Sequence, residues 1–282
     1  MQPRRQPEAV PQFDTGRFSA GYPSPTSADD KYSRGVVGVD TGSDRYPGAA
    51  VLSTLGALRA GAGFVRFCGT DAARPTVLGR CPSVTFGTGR VNAWVVGCGW
   101  DEDEANAGRL AARLGDGVPC VIDAGALWVI GDALATLGWS SLPANCLLTP
   151  HAGELARLLG VQRDEVVADP LGQVGRAAQV FGAAVLLKGA AQYCVALPPG
   201  STGVEDAMGY RAIVGPGWTA QAGSGDVLAG AAGTFLASGV DAVLAGTLAA
   251  SLQTLTAINH PGPWSPDQLA DLFPEVIAEY AR

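Results

Sequence analysis

The sequence is poor in the residues that most metal and nucleic-acid sites require. Its 282 residues include only 2 His and 6 Cys, with no C-x-x-C or H-x-x-x-H spacing, so no zinc site is predicted. Lys31 and Lys188 are the only lysines, no basic run exceeds Arg4-Arg5, and the net charge is −7. Nucleic-acid binding needs clustered positive charge, and we therefore exclude nucleic acid as a partner.

The two commonest phosphate-binding motifs are absent as well. Neither lysine follows a glycine, which excludes a Walker A loop, and G-x-G-x-x-G does not occur. A nucleotide enzyme with this sequence must hold phosphates in another way.

The N-terminus and the cysteines favour a cytoplasmic protein. Residues 1–22 contain Arg4 and Arg5 with no apolar segment after them, so no secretory signal is predicted. The cysteines are scattered, and most have apolar neighbours, as at Cys120 and Cys146. They are predicted to be small buried side chains in a reducing compartment.

High apolar content and few charges, 47% and 16% of residues, indicate a folded chain. Residues 1–30, rich in Pro, Gln, Ser and Thr, are predicted to be a flexible arm, and 31–282 one domain.

The predicted strands are Gly35–Asp40, Phe64–Cys68, Ala93–Gly97, Pro119–Asp123, Cys146–Thr149, Ala183–Leu187 and Tyr193–Leu197. The predicted helices are Ala49–Ala60, Glu104–Leu114, Ala152–Leu159 and Val174–Phe181, then most of 226–280. This alternation predicts a three-layer α/β/α fold with a mostly parallel central sheet.

The most apolar stretch lies near the C-terminus. Between Val227 and Asn259 the only charged residue is Asp241, and that length could span a membrane. Ser238-Gly239-Val240-Asp241, however, has the pattern of a helix end followed by a helix start. We therefore predict two buried helices and no membrane span.

The loops that follow the strands hold the candidate functional residues. In an open α/β sheet, ligands bind beyond the carboxyl ends of the strands. The loops with chemistry-bearing residues are Gly97-Cys98-Gly99, Thr149 to Glu154, Lys188-Gly189-Ala190 and Gly223-Ser224-Gly225-Asp226. All of them are predicted to meet at one edge of the sheet.

The glycine-rich turn before Asp226 is the most informative of these loops. A turn that opens a helix presents free backbone N–H groups at the positive end of the helix dipole, and glycine lets a phosphate approach closely. Asp226, in the first helical turn, could take a proton from a hydroxyl that is being phosphorylated. The same residues also fit an ordinary N-capped helix start.

The other loop residues each have two interpretations. Lys188 ends an apolar strand, where it could lie over a nucleotide or extend along the surface into solvent. His151 could contact a ligand or serve as a polar surface or capping group. Gly97-Cys98-Gly99 could line a pocket or form only a tight turn before a helix.

Taken together, these motifs resemble those of the NAD(P)H-hydrate dehydratase family of the ribokinase-like superfamily. The match extends over nearly all of residues 31–282, and the motifs occur in the same order and at the same spacing as in the family. The matching motifs are KYSRGVV (31–37), GS (42–43), YPGAA (46–50), LRAGAG (58–63), LTPHAGE (148–154), RLLG (157–160), LKGA (187–190) and AGSGDVLAG (222–230).

The resemblance implies a cofactor-repair reaction. The S form of hydrated NADH or NADPH (NADHX, NADPHX) would be dehydrated by phosphorylation of its hydroxyl and loss of phosphate, with ADP or ATP as co-substrate and Mg²⁺ as cofactor. It implies that Asp226 is the general base and that the N–H groups of Gly223, Ser224 and Gly225 stabilise the transferring phosphoryl group. The implied nucleotide-binding residues are Lys188, Gly189, Ala190, Ala191, Gln192 and Gly225. The implied hydrate-binding residues are Ala49, Gly99, His151 and Asp226. No metal ligand is assigned.

The resemblance has further implications and exceptions. Relatives are often tetramers, so a homo-oligomer is expected. Many relatives also carry an N-terminal epimerase domain. Residues 1–30 are too few to form such a domain, so an epimerase would be a separate partner. The family usually has Gly-Pro-Gly at 97–99, Asp-Ala-Asp at 123–125, Thr at Gln192 and Gly-Gly at 41–42. Two alternatives remain, a small-molecule kinase of the same superfamily and a non-catalytic nucleotide-binding protein.

Overall fold

The fold is built on one mixed sheet. The computed structural model describes residues 10–201 and 203–281 of the chain, and in that part nine strands pair in the order β3-β2-β1-β4-β5-β6-β7-β8-β9. Their bounds are β1 Val36–Asp40, β2 Phe64–Phe67, β3 Thr85–Phe86, β4 Ala93–Val96, β5 Cys120–Ile122, β6 Cys146–Leu148, β7 Ala184–Leu187, β8 Tyr193–Ala196 and β9 Met208–Arg211. Strands β1 to β7 pair in parallel, whereas β8 and β9 are antiparallel to their neighbours.

Helices cover both faces of the sheet. They are α1 Thr15–Gly21, α2 Pro47–Arg59, α3 Arg74–Arg80, α4 Ala105–Gly115, α5 Ile130–Leu137, α6 Ala152–Leu159, α7 Arg163–Ala168, α8 Pro170–Phe181, α9 Ser224–Ala237, α10 Ala242–Asn259, α11 Pro266–Asp271 and α12 Phe273–Tyr280. Successive strand residues face opposite sides: Val95 packs with α1–α3 and α9–α12, and Trp94 and Val96 pack with α4–α8. The predicted three-layer arrangement is confirmed.

The strand order contains one topological switch point. The chain runs outward from β1 through β2 to β3, then returns to β4 on the other side of β1. The loops after β1 and β4 therefore leave the sheet in opposite directions, which opens a crevice at their carboxyl ends.

The apolar stretch near the C-terminus forms the two predicted helices, α9 and α10. The chain breaks at Ser238 to Asp241, and the Asp241 side chain accepts hydrogen bonds from the N–H groups of Val243 and Leu244. By length and composition alone α10 could cross a membrane, yet 78% of that stretch is buried inside the domain. Burial against the sheet and α9 accounts for its apolar composition.

The predicted strands agree with the structure to within a residue or two at each end, but β3 and β9 were not predicted. β3 has only two residues, too few for a periodic pattern. β9 reads MGYR and is half-exposed, so it has no apolar run. Short edge strands of this kind carry little sequence signal.

The N-terminal segment differs from the predicted flexible arm. Residues 1–9 lie outside the described residues, but from residue 10 the chain packs against the domain. Phe13 and Phe18 are 2% and 0% exposed, and the Phe13 N–H donates to the Arg211 carbonyl at 2.8 Å. Asp14 caps α1 through the Arg17 N–H. The two buried phenylalanines and the hydrogen bond to Arg211 attach the segment to the domain.

Candidate active site

The first turn of α9 places Asp226 at the crevice. Gly223 precedes the helix with φ +93°, a backbone conformation that favours glycine. A Cβ there would lie 2.5 Å from Leu52 Cδ1, the far end of a flexible side chain. Gln253, from α10, donates its side-chain N–H to the Ser224 carbonyl at 2.9 Å. The helix start is thus fixed from two sides, and the Asp226 carboxylate is held with it.

Asp226 has the electrostatics of a base that works near neutral pH. Burial, and then the negative charge of Asp123, raise its pKa from 3.8 to about 7, against the opposing influence of Lys188 and Cys98. A carboxylate with such a pKa takes and releases a proton readily near neutrality.

A buried ion pair lies beside Asp226. Asp123, directly after β5, accepts from Lys188 Nζ at 2.5 Å and from Thr149 Oγ1 at 2.8 Å, both at Oδ1. The two charged side chains are 2% and 16% exposed. Burial by itself lowers the pKa of Lys188, but the nearby carboxylates of Asp123 and Glu154 have the larger combined effect, so the pKa is raised above its ordinary value. Lys188 is therefore a permanent buried cation.

The loop after β6 is shaped by a helix cap. His151 Nδ1 accepts from the N–H groups of Gly153 and Glu154 at 3.0 and 3.1 Å, and Glu154 Oε2 accepts from the His151 N–H at 2.7 Å. The His151 side chain is 61% exposed, that of Glu154 only 11%. Burial raises the pKa of Glu154, with Lys188 opposing. The capping interpretation of His151 is confirmed, and its Nε2 lies 3.7 Å from Glu154 Oε1.

These groups share one cavity of about 590 Å³. Among its lining residues are Asp123, His151, Lys188, Gln192, Gly225 and Asp226. A Cβ on Gly225 would lie 3.0 Å from Lys188 Nζ, so the ammonium group stands next to the first turn of α9. A buried cation and a helix N-terminus at one point suit an anionic group.

The arrangement supports phosphoryl transfer. A base with a pKa near 7 lies within one helical turn of backbone N–H groups and beside a fixed cation. Preorganised donors of this kind stabilise the charge that develops on a transferring phosphoryl group.

Comparison with known proteins assigns the chain to a family. A family model described as NAD(P)H-hydrate dehydratase matches residues 37–274. A bifunctional NAD(P)H-hydrate repair enzyme of Mycobacterium tuberculosis is 41% identical over 233 residues, covering 81% of this chain. The chain belongs to the NAD(P)H-hydrate dehydratase family. It spans 46% of the length of that relative.

Further proteins are similar to this chain in sequence or in fold. An ADP-dependent (S)-NAD(P)H-hydrate dehydratase of Neisseria meningitidis is 34% identical over 234 residues, 79% of this chain and 76% of the relative. The ADP/ATP-dependent dehydratase of Bacillus subtilis, co-crystallised with ATP/Mg²⁺, superposes with a TM-score of 0.81 at 23% identity, over 97% of this chain and 99% of that one. A ribokinase-like superfamily protein of Enterococcus faecalis gives 0.79 at 19% identity, over 99% of each chain. The predicted ribokinase-like fold is thereby confirmed.

Most of the residues predicted for the site lie at the cavity. Its lining includes His151, Lys188, Gly189, Ala190, Gln192, Gly223, Ser224, Gly225 and Asp226. Ala49, Gly99 and Ala191 are not part of that lining. A Cβ on Gly99 would lie 2.5 Å from the Ala49 Cβ, so these two pack on each other, next to Cys98. Their roles stay predictions.

Ser224 differs in one respect from its predicted role. Its backbone N–H donates to the Gln221 carbonyl at 3.1 Å, which occupies one of the three N–H groups expected to face the phosphoryl group. The N–H groups of Gly223 and Gly225 stay as the predicted donors.

Four residues of the site were given no role from the sequence: Cys98, Thr149 and Glu154, which lie in the candidate loops, and Asp123, which lies in none of them. Asp123 and Thr149 each end a buried strand, as Lys188 does, and that shared position was the available signal. Glu154 stands three residues after His151, the spacing of a capping box.

Proposed function

We propose that this chain dehydrates the S form of hydrated NADH or NADPH, with an adenine nucleotide as the phosphoryl donor. The observation that carries the proposal is the Asp226 carboxylate, whose pKa is about 7, in one cavity with Lys188 and the start of α9. Family membership supports the same reaction.

In this proposal the chemistry proceeds in two steps. Asp226 accepts the proton of the hydrate hydroxyl as its oxygen attacks the terminal phosphorus of the nucleotide, and the bond to the remaining nucleotide breaks. Lys188 and the N–H groups of Gly223 and Gly225 stabilise the charge on the phosphoryl oxygens. The bond between the carbon of the hydrated nicotinamide ring and the phosphorylated oxygen then breaks, and phosphate leaves with the electron pair of that bond. Loss of a proton from the adjacent ring carbon restores the ring double bond.

Mg²⁺ accompanies the nucleotide in the Bacillus subtilis relative. In this chain Cys98, Asp123 and Asp226 bring donor atoms within 4.8 Å of one another. That set does not fit Mg²⁺ as a resident ion, because Mg²⁺ prefers oxygen ligands and Asp123 already accepts from the Lys188 ammonium. We propose that Mg²⁺ enters bound to the nucleotide phosphates, and we assign it no protein ligand.

The test is recovery of reduced cofactor. Incubation of the protein with S-NADHX or S-NADPHX, Mg²⁺ and either ADP or ATP, side by side, is expected to restore the near-ultraviolet absorbance of reduced nicotinamide and to release phosphate. A stable phosphoester would instead identify a small-molecule kinase. Binding of nucleotide by calorimetry without turnover of either hydrate would identify a non-catalytic binding protein.

The pH dependence of the reaction follows from Asp226. A general base must be deprotonated, so kcat/KM is expected to fall at low pH with an apparent pKa of about 7. The profile is measured with saturating nucleotide. An activity that stays level down to about pH 5 would show that the base is another group.

Compartment and assembly are part of the proposal. Cys81, Cys98, Cys120, Cys146 and Cys194 are buried and unpaired, and Cys68 is half-buried and unpaired. This pattern fits the reducing cytoplasm. A homo-oligomer and a separate epimerase are expected from the family resemblance.

A further inference from the structure

Gln253 is a buried polar side chain in the wall of the candidate active-site cavity. It lies on α10, is 5% exposed and belongs to the cavity lining. Its side-chain Nε2 donates to the Ser224 carbonyl at 2.9 Å, whereas its Oε1 accepts no hydrogen bond from the residues that the structure describes. Because Gln253 is otherwise buried, the cavity is where a molecule can reach this oxygen. A buried acceptor without a partner costs free energy, so the oxygen is suited to a donor on a bound ligand.

The Ser224 carbonyl fixes which end of the Gln253 amide is free. A carbonyl oxygen accepts hydrogen bonds and cannot donate them, so the side chain has to present Nε2 to it. A reversed amide would set Oε1 against the Ser224 oxygen with no proton between the two atoms. The free end of the amide is therefore an acceptor, and a ligand must bring the donor.

The part of the wall that contains Gln253 is neutral. The lining residues of segment 213–222 and of α10 carry no charge, in contrast to the carboxylates and the ammonium group at the start of α9. The segment packs on α10, since the Ile213 N–H donates to the Ser251 hydroxyl at 3.3 Å. Ile213 and Leu228 add apolar surface to the lining. A neutral wall with apolar surface suits an aromatic base better than a phosphate.

An adenine nucleotide has few donors that can pair with this oxygen. Its ionised phosphates only accept, and in the proposed reaction they lie at Lys188 and the start of α9. The base then occupies the neutral wall, and the 6-amino group is the donor on its edge. A 6-oxopurine such as guanine or hypoxanthine carries an acceptor at the same place, and two acceptors repel each other.

We propose that Gln253 Oε1 accepts a hydrogen bond from the 6-amino group of the adenine base. The Ser224 carbonyl holds the amide in one orientation, so the site selects adenine over 6-oxopurines. This inference rests on the function proposed above and names the residue that distinguishes the base of the co-substrate.

The first test compares nucleotides on the wild-type protein by calorimetric titration with Mg²⁺ present. ADP is expected to bind roughly 10- to 100-fold more tightly than inosine diphosphate (IDP), whose 6-oxo group leaves the Gln253 oxygen unpaired. 2′-Deoxy-ADP is expected to bind like ADP. Equal affinities for ADP and IDP would overturn the proposal. Weak binding of 2′-deoxy-ADP with no preference between the two bases would assign the oxygen to a ribose hydroxyl and would overturn it as well.

The second test measures the ratio of ADP to IDP affinity in two variants. Gln253→Met removes the acceptor at similar side-chain length, and the ratio is expected to fall to about one. Gln253→Glu keeps an acceptor oxygen and is expected to retain a preference for ADP. If Gln253 served only to hold the start of α9, Gln253→Met would weaken both nucleotides by the same factor. An unchanged ratio in Gln253→Met would therefore overturn the proposal.

Gln221→Met is the matched control. Gln221 lines the same cavity, and its Nε2 likewise donates to backbone carbonyls, those of Trp218 and Trp264 at 3.0 and 2.8 Å. Its replacement is expected to leave the ADP to IDP ratio unchanged, and an equal fall in both Met variants would overturn the assignment to Gln253.

The titrations separate this inference from the proposed function, because they contain no hydrate. A wild type that prefers ADP but restores no reduced cofactor would refute the dehydratase function and support the role of Gln253. A wild type that restores reduced cofactor but binds ADP and IDP equally would refute the role of Gln253 alone.

Discussion

Replacement of Asp226 by Asn is expected to lower kcat for hydrate dehydration by roughly 10²–10⁴-fold, the usual contribution of a general base. The amide has nearly the shape of the carboxylate but cannot accept the hydroxyl proton. Nucleotide affinity is expected to stay the same or to increase, because a negative charge beside the phosphates is removed. Turnover is measured by recovery of reduced nicotinamide, and affinity by calorimetric titration with ADP.

The same variant carries its own test of folding. Native Asp226 keeps its proton up to a pH of about 7, whereas the ordinary value is 3.8. Because the pKa is raised in the folded protein, the free energy of unfolding carries no penalty from Asp226 below about pH 3.8. The penalty grows as pH rises and is complete above about pH 7. Asn has no such dependence, so Asp226→Asn is expected to unfold several degrees above the wild type at about pH 8 and close to it at about pH 4.

Two outcomes would contradict this assignment. A variant that retains more than about a tenth of wild-type kcat would show that Asp226 is not the base. A variant that unfolds earlier than the wild type at about pH 8 and no longer binds ADP would show that Asp226 is structural. The melting curves and the titrations distinguish these cases.

The sequence contained enough to predict the layers and the ligand edge, but not the contacts between loops. Buried strands such as β4 and β6 read as short apolar runs, and parallel strands place their following loops at one edge. Phe13 and Phe18 were missed because two aromatic residues in a polar segment form no period. Phe13 packs edge-on against Tyr210. Phe18 packs on Tyr22, which in turn contacts Phe235. Both Tyr210 and Phe235 are far away in the chain.

The chemistry of the site also depends on contacts between distant loops, and these could not be predicted from the sequence. A glycine-rich turn before Asp226 is a local pattern, and it was recognisable. The pairing of Lys188 with Asp123 joins residues 65 positions apart, which no local spacing reveals. The raised pKa of Asp226 depends on burial and on that pair, so the protonation properties of the base could only follow from the folded arrangement.

Removal of either partner of the Lys188–Asp123 pair is expected to have the largest effect on stability. Lys188→Met leaves Asp123 without a cation, and Asp123→Asn leaves the Lys188 ammonium without its nearest carboxylate. Loss of one member of a buried pair costs about 3–5 kcal/mol, because the other charge stays desolvated. Each variant is therefore expected to unfold roughly 6–10 °C below the wild type.

The double variant decides whether the loss of stability in the single variants is caused by breaking the ion pair. If the cost of each single change arises from the charge left behind, Lys188→Met/Asp123→Asn removes both charges and is expected to be more stable than the two single effects predict together. The exposed pair of Arg157 and Glu102, with Nη1 2.7 Å from Oε1, provides the control cycle and is expected to show little coupling. Additive losses at the buried pair would show that Lys188 and Asp123 stabilise the domain through separate contacts.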